Sequence, residues 1–401
     1  MLMSNNYTDA FDEFAIKNGR DIFNVYQDSD TTDEERERLV KWLFDLIRSR
    51  GNAVPIHTWS DDIFSKIVSS LCDLDTYLIY QDGSYSLNNI GANILTQFFP
   101  EILDVVKGGK VSHRDFFKED KRLIGYCRTF LKYCTSPLEM FKMMSFRGSS
   151  RCYNFRPATA KALYEVYGKD NCKVLDTSSG FGGRLLGFFT AKNTYEYVGI
   201  DPNTADSCNK FILYMSRYFT NKKAYVNKIG SEDFTIENYP QYENYFDISF
   251  TSPPYFNTEK YSKSETQSYI KFNTYDSWVD GFYRNTIYNS CNALKIDGTF
   301  AINIFEKIDN IKEYTEEFLN DCGFYIIKED KFLLRIMSGT QKGEDGKFYT
   351  RKKDGVSYEP IWVAKHYTEL LKDGMITREK AEECYNRVKV GNKKIKVSEV
   401  H

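Results

Sequence analysis

From Cys152 onward the sequence alternates short apolar runs with segments of helical periodicity, and that alternation points to a parallel α/β sheet. The runs Lys173–Asp176, Tyr197–Asp201, Ala224–Ile229, Phe246–Thr251, Thr299–Phe305 and Phe324–Lys328 read as successive strands. Phe332–Ile336 and Ile361–Ala364 read as later additions, and the Gly-, Lys- and Asp-rich stretch between Ile336 and Tyr358 predicts a long hairpin or mobile loop. Thr377–Val388 predicts a capped helix, with a basic tail after it at Val390–Val397.

The region before about Ser150 has a different texture. Thr32 and Glu35 stand at capping-box spacing ahead of Leu39, Leu43, Leu46 and Ile47, which recur as one helical face. Ser60 can cap a second helix carrying Ile63, Ile67 and Leu71 inward, and Asp82-Gly83 between aromatic and aliphatic runs signals a hairpin. A helix over Asp120–Tyr133 would turn Leu123, Cys127, Phe130 and Leu131 inward and Lys121, Arg122, Arg128 and Lys132 outward. That basic face reads either as a solvated surface or as a nucleic-acid contact. The expected organisation is a mainly helical domain at 1–150, an α/β domain at 151–366 and a C-terminal helix with its tail at 367–401.

Composition narrows the setting. No stretch approaches the roughly 18 consecutive apolar residues of a membrane span, and Met1–Arg20 lacks a signal-peptide layout, so a cytoplasmic protein is expected. Nine Cys without a Cys-x-x-Cys pair, and four His, give neither a zinc site nor a disulfide framework. A formal net charge of -2 speaks against a protein that coats nucleic acid nonspecifically.

Three strand ends carry candidate binding residues. The strand ending at Asp176 runs into Thr177-Ser178-Ser179-Gly180-Phe181-Gly182-Gly183-Arg184 and then a helix over Leu185–Phe189. A strand, glycine turn and helix let backbone approach a ligand and aim amides at it, which makes Asp176, Ser178, Gly180 and Gly182 candidates. The spacing is not Gly-x-Gly-x-x-Gly, which favours a nucleoside without phosphates over a dinucleotide. Asp201 ends the second strand, where an acidic residue can accept from ribose hydroxyls or cap the helix that Pro202 begins. Ser231 and Glu232 follow the third strand, placed for the edge of an adenine ring or for capping the next helix.

The most specific run is Thr251-Ser252-Pro253-Pro254-Tyr255-Phe256 after the fourth strand. Consecutive prolines fix the backbone and remove two N–H donors, which leaves carbonyls free to accept. An exocyclic amine on a base is a poor nucleophile because its lone pair is delocalised into the ring. Acceptors that grip its N–H groups can align that lone pair with a methyl donor, so orientation and electrostatics suffice and neither a metal nor a covalent intermediate is needed.

Over roughly Asn154–Lys365 the chain resembles the DNA amino-methyltransferases, including phage-encoded members, through Asn154-Phe155-Arg156-Pro157, Asp176–Arg184, Asp201, Gly230–Phe234 and Ser252-Pro253-Pro254-Tyr255. The resemblance implies a Rossmann-like S-adenosylmethionine-dependent methyltransferase fold and double-stranded DNA as partner, with the target base flipped out. It implies that Phe155 and Pro157 lie near the methionine end of the cofactor, that Ser252 and the Pro253 carbonyl hold the target amine, and that Tyr255 stacks on the base. Arg335 and Tyr358-Glu359-Pro360-Ile361 resemble the family's closing strands, and Asn257–Gln267 is similar to a segment that could close over the base. Ser at the first motif position is closer to the cytosine-N4 subgroup than to the adenine-N6 subgroup. The alternatives are an RNA base methyltransferase and an inactive nucleic-acid-binding module. Too few residues separate Asp201 from Thr251 for an inserted recognition domain, so recognition is expected from the N-terminal region, the Gly339–Tyr358 loop and the C-terminal tail.

Overall fold

The computed structural model describes residues 7–146, 149, 150, 152, 154–304, 310–342 and 348–398. They form two compact units that do not follow chain order. The first comprises Met1–Ser65, Ile94–Tyr153 and Asn257–Ser264, and the second Lys66–Asn93, Asn154–Phe256 and Glu265–His401. The expected division at residue 150 therefore gives way to two exchanges: a stretch before it belongs with the sheet, and Asn257–Ser264 belongs with the helices.

The first unit is helical, with a core built from Phe11, Phe23, Leu43, Ile47, Tyr126, Phe130 and Leu131. Helix Asp33–Ser49 starts from a formed capping box, in which the Thr32 hydroxyl accepts from the Glu35 amide at 3.2 Å and Glu35 accepts from the Thr32 amide at 2.9 Å. Helix Asp120–Tyr133 buries Leu123, Cys127, Phe130 and Leu131 as its pattern predicts. On its outer face Arg128 pairs with Glu37 at 2.8 Å and Arg122 pairs with Glu119, so much of the apparent basic stripe is neutralised locally. Glu259–Lys260 adds an antiparallel strand to Val106–Lys107, and Lys107 pairs with Glu259. Of Asn257–Gln267, the segment similar to a closing flap, Asn257–Ser264 belongs to this unit and its Glu259–Lys260 forms the paired strand. In helix Asp61–Cys72, whose residues the two units share, Leu71 is buried as expected, but Phe64 and Val68 are inside in place of Ile63, which is 43% exposed, and Ile67, which is half-buried. Phe64, Val68 and Leu71 keep i, i+4, i+7 spacing and put a larger ring on the buried face.

The second unit holds one nine-stranded sheet. Its strands are β1 Tyr80–Gln81, β2 Ser84–Tyr85, β3 Cys172–Asp176, β4 Thr194–Ile200, β5 Lys223–Asn227, β6 Phe246–Thr251, β7 Leu294–Asn303, β8 Phe324–Lys342 and β9 Phe348–His366. The order across the sheet is β1, β2, β8, β9, β7, β6, β3, β4, β5. Strands β5, β4, β3, β6 and β7 are all parallel, and β9 runs antiparallel between β7 and β8. Two runs read as separate strands, Phe324–Lys328 and Phe332–Ile336, are one continuous β8, which pairs with β9 as far as Lys342–Phe348 within the stretch expected as a long hairpin or loop, whose residues 343–347 lie outside the described residues. The expected hairpin at Asp82-Gly83 forms, with φ of 47° and 78° at the two turn residues. It docks parallel to β8 through Ser84 and Lys331.

The central parallel strands are covered on both faces: all six residues of β6 are buried, as are Val174 and Leu175 of β3, whereas the edge strand β5 buries only Val226. Strand order reverses between β3 and β6, which pair directly through Val174–Ile248 and Leu175–Ser249. In such a Rossmann-like arrangement the usual ligand position is the crevice outside the carboxyl ends of the two strands at the switch point. Helix α1 (Pro157–Tyr167) lies against α2 (Gly183–Thr190), while α3 (Ala205–Met215), α4 (Arg284–Ala293) and α5 (Ile311–Asp321) complete the unit's layers. The last helix, Arg378–Ser398, continues through the expected tail, and the predicted Thr377 cap accepts from the Lys380 amide at 3.3 Å.

Gly187 fixes how closely α1 and α2 approach. A Cβ there would lie 2.6 Å from the Ala160 methyl carbon and 2.9 Å from the Pro157 carbonyl oxygen. Gly187→Ala is expected to destabilise the protein by about 1–3 kcal/mol through overpacking, despite alanine's better helix propensity. Urea unfolding checks this, and a variant as stable as the parent would show that the helices can separate freely.

Candidate functional site

The glycine turn after β3 is held from beneath by a buried ion pair. The Asp176 side chain is fully buried and accepts from Arg184 Nε at 2.8 Å and Nη2 at 3.1 Å, from the Tyr197 hydroxyl at 2.7 Å and from the Ser178 amide at 3.1 Å. Arg184 also donates to the Ser178 carbonyl, closing the turn on itself. Burial alone would lower the Arg184 pKa, but the adjoining Asp176 carboxylate raises it above its ordinary value. Asp176, read as a ligand residue from the sequence, therefore spends its acceptors inside the protein and shapes the turn. Arg184, the cation carried by the turn, is likewise committed.

Positive φ at Gly180 (58°) and Gly182 (79°) bends the chain over this pair. A Cβ on Gly180 would meet nothing nearer than 3.7 Å, which leaves space above the turn. At Gly183 a Cβ would lie 1.9 Å from the Phe155 carbonyl oxygen, so the run Asn154–Pro157 is pressed against the start of α2. Asn154 pins it there, accepting from the Gly183 amide at 3.1 Å and donating to the Phe181 carbonyl at 2.5 Å. The Phe155 ring stacks on Phe332 at 4.8 Å and meets Phe250 edge-on at 5.2 Å, and Pro157 begins α1 as a buried first-turn residue. Ser178 is half-buried on the turn.

Asp201 stands at the end of β4, 9% exposed. Its carboxylate accepts from the Gly180 amide at 2.9 Å and from the Asn203 and Thr204 amides at 2.8 Å, while the Thr204 hydroxyl donates to the Gly180 carbonyl at 2.7 Å. It thus caps the approach to α3 and braces the glycine turn. Each carboxylate oxygen carries two lone pairs, so a ligand hydroxyl can still be accepted, above all by Oδ2, which holds one amide. Burial raises the Asp201 pKa above the ordinary carboxylate range, against the lowering effect of those amides.

After β5, the Ser231 hydroxyl bonds Thr286 at 2.6 Å, and Asn289 on α4 donates to the Ser231 and Glu232 carbonyls at 2.9 and 3.2 Å. Lys271 bridges Glu232 and Asp233, each at 2.9 Å. One carboxylate oxygen of Glu232 thereby has a partner, and the other, Oε2, is buried with none among the described residues. Thr177 Oγ1 and Thr251 Oγ1, at the carboxyl ends of β3 and β6, are in the same condition. Buried polar atoms normally find partners, so Thr177 and Thr251 at the ends of directly paired strands, with Glu232 beyond the end of β5, fit a polar ligand.

The Ser252–Tyr255 turn leaves β6 beside that crevice. Pro253 is buried, and Ser252, Pro254 and Tyr255 are partly exposed. Ser252 and Tyr255 hydroxyls both lie 3.4 Å from Asn303 Oδ1, and the Tyr255 hydroxyl donates to Glu359 at 3.1 Å. Asn303, at the end of β7, donates in turn to the Pro360 carbonyl at 2.9 Å. The backbone turns sharply at Phe256, whose φ is 47°, and packing of its ring on Tyr275 and Trp278 holds that conformation. Asn303 and Lys271 lie outside any motif. Glu359 stood only in the loosely similar Tyr358–Ile361 run, without a role of its own.

Among the described residues no helix is long and apolar enough to cross a membrane, and no group of three or more His, Cys, Asp or Glu is placed to hold a metal ion. No family model matches the sequence, and a search of curated proteins gives no match. Among solved structures, the chain is similar to a putative RNA methyltransferase from Pyrococcus horikoshii at 12% identity, covering 53% of this chain and 86% of that one, with a TM-score of 0.33. It is similar to TrmN from Thermus thermophilus at 13% identity and a TM-score of 0.33, covering 52% of this chain and 48% of TrmN, about half of that protein's length. A TehB-like SAM-dependent methyltransferase from Corynebacterium glutamicum matches at 16% identity, covering 57% of this chain and 95% of that chain with a TM-score of 0.30.

The Asp176–Arg184 pair makes a stability statement. Asp176→Ala leaves a buried guanidinium without its counter-charge and should cost roughly 3–5 kcal/mol, and adding Arg184→Met should recover part of that loss. Denaturant unfolding of both variants measures it. Equal stability of the single variant and the parent would show that the pair does not hold the turn.

Proposed function

We propose that this protein is an S-adenosylmethionine-dependent methyltransferase acting on the exocyclic amine of a flipped base in double-stranded DNA, cytosine N4 ahead of adenine N6. The observation that carries the reading is adjacency. The glycine turn and the Ser252-Pro253-Pro254-Tyr255 turn leave the carboxyl ends of directly paired parallel strands at the point where strand order reverses. A donor held by the first and an amine held by the second would meet over one crevice.

The residues present suit the cofactor. The turn's own cation is committed to Asp176, and carboxylates at Asp201 and Glu232 would repel a pyrophosphate, whereas they suit ribose hydroxyls, an adenine amine and a sulfonium charge. When bound, the cofactor would supply an electrophilic methyl group. Asp201 would accept from the ribose, Ser231 and Glu232 would face the adenine, and Phe155 and Pro157 would border the methionine end. The Ser252 hydroxyl and the Pro253 carbonyl would grip the target amine, and the Tyr255 ring would stack on the base. A neutral Ser at the first motif position favours cytosine N4.

Transfer of labelled methyl to duplex DNA, single-stranded DNA and folded RNA tests the substrate class, followed by detection of the modified base. Transfer to RNA alone would overturn the DNA assignment, and absence of cofactor binding would overturn the enzyme assignment. Tyr255→Ala should leave cofactor affinity nearly unchanged while slowing single-turnover transfer about five- to several-hundred-fold, the equivalent of about 1–3 kcal/mol of stacking. Ser252→Ala should also spare cofactor binding and lower turnover with little change in DNA affinity. Lost cofactor affinity in a folded variant would place these residues in the wrong half of the crevice.

The raised Asp201 pKa gives a pH prediction. An anionic Asp201 accepts from the ribose and a protonated one does so poorly, so cofactor affinity should weaken as pH falls. The weakening should begin above the ordinary aspartate value of about 4. Calorimetric titration across pH measures this, and constant affinity down to that value would remove Asp201 from the ribose.

A further inference from the structure

Strand β9 reaches the turn that follows β6 by a contact no motif predicts. Glu359 lies 104 residues from Tyr255 in the chain, yet its Oε2 accepts from the Tyr255 hydroxyl at 3.1 Å. Register explains the meeting: β9 pairs with β7 from Ile361–Asn303 to Lys365–Thr299, and β7 pairs with β6 up to Thr251–Ile302. Glu359 therefore stands just past the end of the β7–β9 ladder, at the level where Ser252–Tyr255 leaves β6. Asn303 locks the level by donating to the Pro360 carbonyl at 2.9 Å while its Oδ1 faces both Ser252 and Tyr255.

We infer that Glu359 is a positioning residue for the target base, acting by fixing the plane of the Tyr255 ring. The inference rests on the reading of Tyr255 as the base-stacking residue. A tyrosine on a partly exposed turn has two side-chain torsions to fix before it can offer one face to a base. The backbone on either side of Pro254 holds its Cβ end. A charge-assisted bond to a carboxylate holds its hydroxyl end, and such bonds are roughly twice as strong as neutral ones. Glutamate also places an anion in the target half, where the motif itself carries a neutral serine. Loss of the carboxylate leaves the hydroxyl end with the longer 3.4 Å contact to Asn303 and widens the ring's range of orientation, so fewer encounters present the base in line with the methyl donor.

The same carboxylate could instead take the proton that the amine sheds. Transfer forms the N–C bond, breaks the C–S bond and leaves one proton too many on nitrogen, which could reach Glu359 through the phenol. Substitutions separate the roles. Glutamine keeps an oxygen to accept from Tyr255 but cannot take a proton, so Glu359→Gln should restore most of the rate lost in Glu359→Ala and leave the pH profile in place. Glu359→Ala and Tyr255→Phe should each slow single-turnover transfer about 10- to 100-fold, with cofactor affinity unchanged, and the double variant should be no slower than either alone. Multiplying losses, or wild-type rates in Glu359→Ala, would overturn the inference. So would a Gln variant as slow as the Ala variant with a displaced pH limb, which would make Glu359 the proton acceptor.

A readout independent of activity keeps the inference distinct from the proposed function. In protein carrying 13C at the tyrosine Cζ position, the Tyr255 resonance, identified by its absence in Tyr255→Phe, should shift in Glu359→Ala and return toward wild type in Glu359→Gln. An unmoved resonance overturns the coupling whatever the enzyme does. A shifted resonance in a protein that transfers no methyl to DNA or RNA would instead sink the proposed function and leave the Tyr255–Glu359 coupling standing.

Discussion

The candidate cofactor half depends on one buried ion pair, Asp176 with Arg184. A carboxylate and a guanidinium enclosed together cost desolvation that only good geometry repays, and here the repayment is a two-pronged contact extended by the Tyr197 hydroxyl and the Ser178 amide. Because the partners bracket the turn from Asp176 to Arg184, their bond sets the loop's diameter. Gly180 and Gly182 then supply the left-handed conformations that so short a loop needs, and Asp201 braces Gly180 from the next strand.

Asn303 does for the target half what Asp176 does for the cofactor half. It is buried at a strand end and reaches two neighbours at once, the turn after β6 and the carbonyl of Pro360. The antiparallel insertion of β9 gives it the second neighbour. Running antiparallel to both β7 and β8, β9 brings Glu359 and Pro360 from within the strand to the level of Thr251. The two halves are thus framed by different devices, an ion pair under one turn and an amide between strands under the other.

Several elements were legible because their signals are local. Short apolar runs alternating with helical segments mark the parallel strands, the Thr32–Glu35 spacing marks a helix start, and Asp82-Gly83 marks a hairpin, since each depends on a few adjacent residues. Asp176 was placed on the right turn, but its role was invisible: a strand-end aspartate that binds a ligand and one that binds an arginine eight residues later read alike. The basic face of Asp120–Tyr133 reads from the sequence as either a solvated surface or a nucleic-acid contact, because Glu37, which pairs with Arg128, comes from a helix far away in the chain. Phase was misread where two apolar stripes compete, as at Ile63 and Phe64.

The sequence by itself determined the α/β alternation, the three strand ends that carry polar residues, and the rigid Ser252-Pro253-Pro254-Tyr255 turn. Each of these is written in periodicity or in residues with one conformational use. Only the tertiary structure decided which strands lie side by side, and so which residues meet. It joined the helical unit to Asn257–Ser264, put β9 between β7 and β8, and brought Glu359 to Tyr255. The reason is physical: periodicity reports which face of a segment is buried, whereas strand order follows from how all the buried faces fit together, a property that no single segment holds.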